Sequence, residues 1–269
     1  MPARSYLFVP GNRPERFDKA LASGADAVVL DLEDAVAPAD KTSAREAVSA
    51  RLRAATPEQR ERLVVRVNDA GTPWLEGDLA TLRSIGASTV MLPKAERPDD
   101  VARARQGCPG IAVLALVETA RGVLGAEALA QAEGVQRLVF GTIDFALDMD
   151  LTGDPIGFDH AASRLALASR AAGLASPVAG VTAAIDDDAL LLAELARARA
   201  HGFGAKLCIH PKQIARVHEA LRPTASEVDW AQRVLAAAEG SPGSFQFDGR
   251  MVDRPVLQRA RALLARQVT

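Results

Sequence analysis

The chain has 269 residues, with 32 Lys and Arg against 34 Asp and Glu, so its formal net charge is −2. That balance excludes a basic nucleic-acid surface and an acidic tail, and the longest clean apolar run, residues 111–117, is far short of the ~20 that a membrane helix needs. At 48% hydrophobic and 4% aromatic residues the core is aliphatic, and the length sits at the upper limit for a single one.

Short β-branched runs recur along the chain, each followed by turn residues and a stretch of helical period, the pattern of βα units on a parallel sheet. Strands are expected over 6–9, 27–31, 63–67, 89–92, 112–117, 137–140, 178–181 and 205–209. Helices are expected over 15–23, 43–53, 75–84, 120–132, 159–172 and 186–200. Eight strands with alternating helices predict an α/β fold, a (β/α)8 TIM barrel. An open doubly wound sheet is the rival, yet no Gly-rich phosphate turn follows Val9. Further helical stretches over 211–221, 226–240 and 255–266, the last set off by a loop over 240–249, predict a barrel domain over 1–222 and a C-terminal helical arm over 223–269. Cys108 and Cys208 make no metal spacing, and a chain without disulfides is expected in the cytoplasm.

Barrel chemistry comes from the C-terminal ends of the strands. Standing there are Asp31, Glu33 and Asp34 after strand two, Arg66 and Asn68 after strand three, Lys94 after strand four, Glu118 after strand five, Asp144 after strand six and His210 after strand eight. Side chains alternate along a strand, so Arg66 shares the face of Val64, and Glu118 that of Leu114 and Leu116. Five acids against Arg66 and Lys94 leave about three uncompensated negative charges at one mouth, which calls for a cation. Carboxylates without His or Cys partners suit Mg²⁺, with Mn²⁺ as the alternative, rather than Zn²⁺. A reading without metal stays open: Arg66 pairs with Glu118, and Asp31 and Asp34 cap the next helix. His210 reads as a loop residue, and His160, His201 and His218 as surface residues of helices.

The segments Arg4–Phe17, Val29–Val36, Arg66–Asn68, Leu92–Lys94, Val117–Gly122, Phe140–Phe145, Lys206–Pro211 and Gly249–Pro255 resemble the citrate lyase beta-subunit-like proteins of the hydroxyacid aldolase superfamily, which includes malyl-CoA and citramalyl-CoA lyases. The resemblance spans nearly the whole chain. It implies that Glu118 and Asp144 hold Mg²⁺, that Arg66 contacts the reacting oxygens, and that Glu33 and Asp34 hold waters around the ion. It also implies that Asp253 is the acid or base at the enolate carbon, delivered by the arm to a neighbouring subunit of a homotrimer or hexamer. By local pattern alone, Asp253 reads equally as a helix cap before Pro255. Ile143 stands where many relatives carry a second acid, which makes the site less polar there.

The expected activity is therefore Mg²⁺-dependent carbon–carbon cleavage of a CoA thioester of the malyl, citramalyl or citryl type, with an acyl-CoA and a 2-oxoacid as partners and neither nucleic acid nor membrane. Gly11, Asn12 and Arg13 could approach CoA or simply form a turn, and Asn68 could orient Arg66 or the substrate. Two alternatives stand beside this: a subunit of a citrate lyase complex working on an acyl-carrier-protein thioester, and a Schiff-base aldolase using Lys94.

Overall fold

The computed structural model describes residues 2–240 and 243–267; residues 241–242 and 268–269 of the expected arm lie outside them. Eight parallel strands, β1 (Ser5–Pro10), β2 (Ala27–Asp31), β3 (Leu63–Arg66), β4 (Thr89–Leu92), β5 (Ala112–Val117), β6 (Val135–Phe140), β7 (Val178–Ala179) and β8 (Ala205–Cys208), pair in sequence order and close when β8 pairs with β1. Alternation decides what fills the interior: Tyr6, Val29, Val64, Met91, Leu116, Val139, Val178 and Leu207 form one buried cluster, with no aromatic ring in it beyond Tyr6 and the half-buried Phe8. Arg66 continues the inward parity of Val64, Asp31 that of Val29, and Glu118 that of Leu116, so apolar layers below are capped by charged groups at the mouth.

Around the barrel run α1 (Phe17–Leu21), α2 (Lys41–Ala54), α3 (Pro57–Glu61), α4 (Leu75–Ile85), α5 (Pro98–Gly107), α6 (Ala120–Leu124), α7 (Ala126–Gln131), α8 (Thr142–Asp148), α9 (Asp159–Ala171), α10 (Asp188–Ala200) and α11 (Lys212–Leu221). The expected helix over 120–132 is two, α6 and α7, which meet at Gly125; a Cβ there would run into the Glu96 carbonyl oxygen, so this backbone packs where no side chain fits. The strand expected over 178–181 is only Val178–Ala179. Among the described residues, no helix is long and apolar enough to cross a membrane.

The chain divides into two compact units, Pro2–Val217 and residues 218–267. In the second, α12 (Ala225–Ala238) and α13 (Arg254–Gln267) enclose a small core of Ala231, Val234, Val252, Ala260 and Leu263. The expected loop over 240–249 is in part a hairpin, β9 (Phe245–Phe247) against β10 (Arg250–Val252). Asp248 and Gly249 turn it with φ of 48° and 74°, the left-handed pair that a two-residue hairpin turn demands.

Candidate active site

Strand register places the guanidinium. Asp31 and Arg66 lie opposite each other on β2 and β3, and Arg66 grips Asp31 with both prongs, Nε to Oδ1 and Nη2 to Oδ2 at 2.7 Å each. Phe8 lies 4.8 Å beneath the guanidinium. Nη1 is left facing Glu33 Oε2 at 2.8 Å and Asp34 Oδ2 at 3.9 Å. Burial opposes the Arg66 charge, but its hydrogen bonds to Asp31 and the charges of the surrounding acids outweigh it and hold the group protonated. The pairing of Arg66 with Glu118 offered by the metal-free reading does not form. Glu118 Oε1 instead accepts the backbone N–H of Lys94 at 2.8 Å, and Lys94 adopts a left-handed φ of 48° at that point.

Positive charge is short here. Burial, with the charges of Glu33 and Asp144 added, pushes the Glu118 carboxyl up to about 8. Burial, only partly offset by Arg66, raises Glu33 to about 7. Glu33 Oε2 touches Arg66 without hydrogen-bond alignment, and neither of its oxygens has a hydrogen-bond partner. A desolvated carboxylate without hydrogen-bond partners, as at Glu33, beside a second desolvated carboxylate, Glu118, suits a hard cation. Asp144 lies in the first turn of α8, half-buried, with no ion-pair partner among the described residues. Gly141, at the end of β6, leaves the space that the Glu118 carboxylate enters: a Cβ there would lie 2.5 Å from Oε2. No group of three or more His, Cys, Asp or Glu side chains among the described residues closes a metal site by itself, which fits an ion that takes one or two carboxylates and fills its shell with water and substrate.

Lys94 Nζ lies 3.0 Å from Asp69 and 3.6 Å from Glu33. Burial would lower its pKa, but these acids raise it well above the usual lysine range, which disfavours the free amine that a Schiff base requires. Asn68 is buried and donates both its backbone and side-chain N–H to Asp78, at 3.0 and 2.7 Å. Gly11 N–H donates to Asp31 O at 2.7 Å, and a Cβ would fall equally close to that oxygen, so this glycine lets the end of β1 pack on the end of β2. Asn12 donates to Asp40 at 3.1 Å, and Arg13 is exposed. Asp253 caps α13, its Oδ1 3.4 Å from Val256 N. His210 is a loop residue whose Nδ1 accepts the Lys212 N–H. His201 corrects its surface reading: its ring bridges Ser163 and Asp159 at 3.0 and 2.9 Å.

Two supports were missed in the sequence. Asp78 lies between Leu75, Leu79 and Leu82 on the buried stripe of α4, and takes Arg45 at 2.7 Å on one oxygen and Asn68 on the other. Lys41, on the stripe of Ala44, Val48 and Leu52, donates to the Leu32 and Glu33 carbonyl oxygens at 2.7 Å each, pinning the loop that carries Glu33 and Asp34. A charged residue at an apolar helical position was the available signal. Lys41→Met is expected to leave two buried carbonyls without a donor and to lower unfolding free energy by about 2–4 kcal/mol in urea titration; an unchanged midpoint would remove Lys41 from this role.

A family model described as HpcH/HpaI aldolase/citrate lyase matches residues 4–211, and one described as a C–C bond lyase of the TIM-barrel fold matches residues 159–267. A citrate lyase subunit beta-like protein of Mycobacterium tuberculosis is 41% identical over 268 residues, 97% of this chain and 94% of that one. A (3S)-malyl-CoA thioesterase of Cereibacter sphaeroides is 34% identical over 271 residues, 98% and 94% of the two chains. The solved structure of protein CitE from Mycobacterium tuberculosis, in complex with magnesium, acetoacetate and coenzyme A, superposes with a TM-score of 0.88 at 39% identity, covering 99% of this chain and 98% of that one.

Proposed function

The chain belongs to the HpcH/HpaI aldolase/citrate lyase family and is a carbon–carbon lyase, and from that premise we propose a cytoplasmic, Mg²⁺-dependent enzyme that reversibly cleaves a 3-hydroxyacyl-CoA thioester of the malyl, citramalyl or citryl type into acetyl-CoA, or a similar acyl-CoA, and a 2-oxoacid. The observation that carries this reading is the pairing of a rigidly forked guanidinium, Arg66, with desolvated carboxylates, Glu33 and Glu118, that lack enough positive charge. The magnesium and coenzyme A in the mycobacterial structure support it.

Cleavage passes the bond pair to the thioester as an enolate while the β-hydroxyl gives its proton to water at the mouth and becomes the carbonyl of the 2-oxoacid. Charge thus grows on oxygens, and catalysis rests on donors already fixed where it appears. Arg66 supplies such donors, held by Asp31 and Phe8 so that no rotamer search is needed. Glu118 and Asp144 would hold Mg²⁺, with Glu33 and Asp34 around them. When bound, the ion supplies Lewis acidity and a template for the substrate carboxylate and hydroxyl. Asp253 of a neighbouring copy in a homotrimer or hexamer protonates the enolate carbon, or deprotonates it in condensation. Lys94 lines the mouth, with the buried Asn68 positioned behind it by Asp78, and Asn12 and Arg13 face the CoA from the turn that Gly11 allows to pack on β2.

Incubated with malyl-CoA and citramalyl-CoA, the purified protein is expected to release acetyl-CoA and the matching 2-oxoacid in Mg²⁺ and neither in EDTA. Full activity in EDTA would overturn the metal. Free CoA with intact malate would overturn carbon–carbon cleavage in favour of thioester hydrolysis.

A further inference from the structure

A cavity of about 480 Å³ lies between the outward face of β6–β8 and helices α9 and α10. Phe140, Ala179 and Lys206 alternate with the inward-facing Val139, Val178 and Leu207, so they point away from the barrel interior and into this space. It stays open because the helices and strands meet there through small side chains, Ala162, Ala179 and Ala198. Phe140 packs edge-on against Phe158, with ring centroids 6.2 Å apart, and Phe203 lies 6.5 Å away, which gives the cavity an aromatic wall. Its size falls within the range of ligand pockets for small organic molecules.

The polar groups of the cavity are almost all engaged. Arg197 holds Asp159 with two hydrogen bonds, at 2.9 and 2.6 Å, and His201 adds a third at 2.9 Å. Glu194 accepts the Thr182 hydroxyl. Lys206, 2% exposed, donates to Gly180 O at 2.7 Å and lies 3.4 Å from Glu194. An ammonium carries three hydrogens, and among the described residues no acceptor takes the third. Asp159 is already held by Arg197 and His201, and Glu194 by Thr182 and Lys206, so an anionic occupant would be a third acid in the cavity with no cation among the described residues left to pair with it.

The geometry points to a second binding site here, for a small neutral molecule with an aromatic or otherwise apolar body and one acceptor oxygen, a carbonyl or hydroxyl, that takes the remaining Lys206 hydrogen. A pure hydrocarbon would leave that donor unmade, and a carboxylate would be uncompensated. Thr142 and Ile143 form part of the wall, so an occupant rests against α8, the helix of Asp144. The site stands on its own residues, whatever the substrate of the barrel mouth.

Acetophenone is a suitable probe, followed on the full chain by saturation-transfer NMR. Saturable binding is expected, with toluene weaker by about tenfold, the equivalent of one hydrogen bond, and benzoate no tighter than toluene. Ala198→Leu, which fills the cavity with a good helix former, is expected to abolish acetophenone binding while the thermal melt stays cooperative. Lys206→Met, where it folds, should bind acetophenone and toluene alike. No saturable binding at about 10 mM, unchanged affinity in Ala198→Leu, or benzoate binding tighter than acetophenone would each overturn the proposal.

Discussion

Arg66→Lys is expected to lower kcat by about 10²–10³ while the barrel remains folded. Arg66 does two things at once: Nε and Nη2 are fixed on Asp31, and Nη1 stays turned towards Glu33 at the mouth. Lysine offers one compact ammonium. It can neutralise Asp31 or reach the reacting oxygens, but its single point charge cannot span both with the planar fork that Phe8 supports from below. Arg66→Ala tests a different link. It strands Asp31, 1% exposed, and is expected to lower unfolding free energy by about 3–5 kcal/mol, as for a buried pair stripped of one partner. Steady-state kinetics and urea titration on the two variants separate the effects. Wild-type kcat in Arg66→Lys would show that the fork has no part in the chemistry.

The same residue shows where sequence reading stops. That Arg66 and Glu118 face inward follows from alternation alone, and both do. Which acid Arg66 takes does not follow, because pairing depends on strand neighbours: Asp31 is opposite it on the adjacent β2, whereas β4 stands between β3 and β5. Glu118 accordingly finds its donor on β4, in the Lys94 backbone. The eight strands were legible because each is a short aliphatic run buried on both faces. Helices α3, α5 and α8 were not, since α3 and α8 are short and none of the three buries more than two side chains, too few to set a period. In the arm, Asp248-Gly249 between Phe245–Phe247 and Arg250–Val252 carried the hairpin signal within a stretch read as loop. The cavity beneath β6–β8 had no local signature, being made by alanines and glycines that come together only in the fold.

Glu118→Ala is expected to abolish Mg²⁺ binding in calorimetry with the fold intact, since it removes one of two proposed ligands and relieves a buried, poorly compensated carboxylate. Gly141→Ala should cause much of the same loss while leaving every carboxylate in place. Its φ of −85° lies outside the left-handed region, so the backbone does not require glycine. The new Cβ, however, would lie 2.5 Å from Glu118 Oε2, 2.7 Å from Glu118 Cβ and 3.3 Å from Leu116 Cδ1. Something has to move, and Glu118 is tethered by Oε1 to Lys94 while Leu116 is packed in the barrel. The carboxylate therefore swings off its position, and Mg²⁺ affinity is expected to fall by about 10–100-fold, the usual consequence of misorienting a ligand. Activity should fall with it and recover in part at raised Mg²⁺, which a catalytic lesion such as Arg66→Lys would not do. Full Mg²⁺ affinity in Gly141→Ala would mean that Glu118 is free to reposition or does not hold the ion, and Glu118→Ala decides between the two.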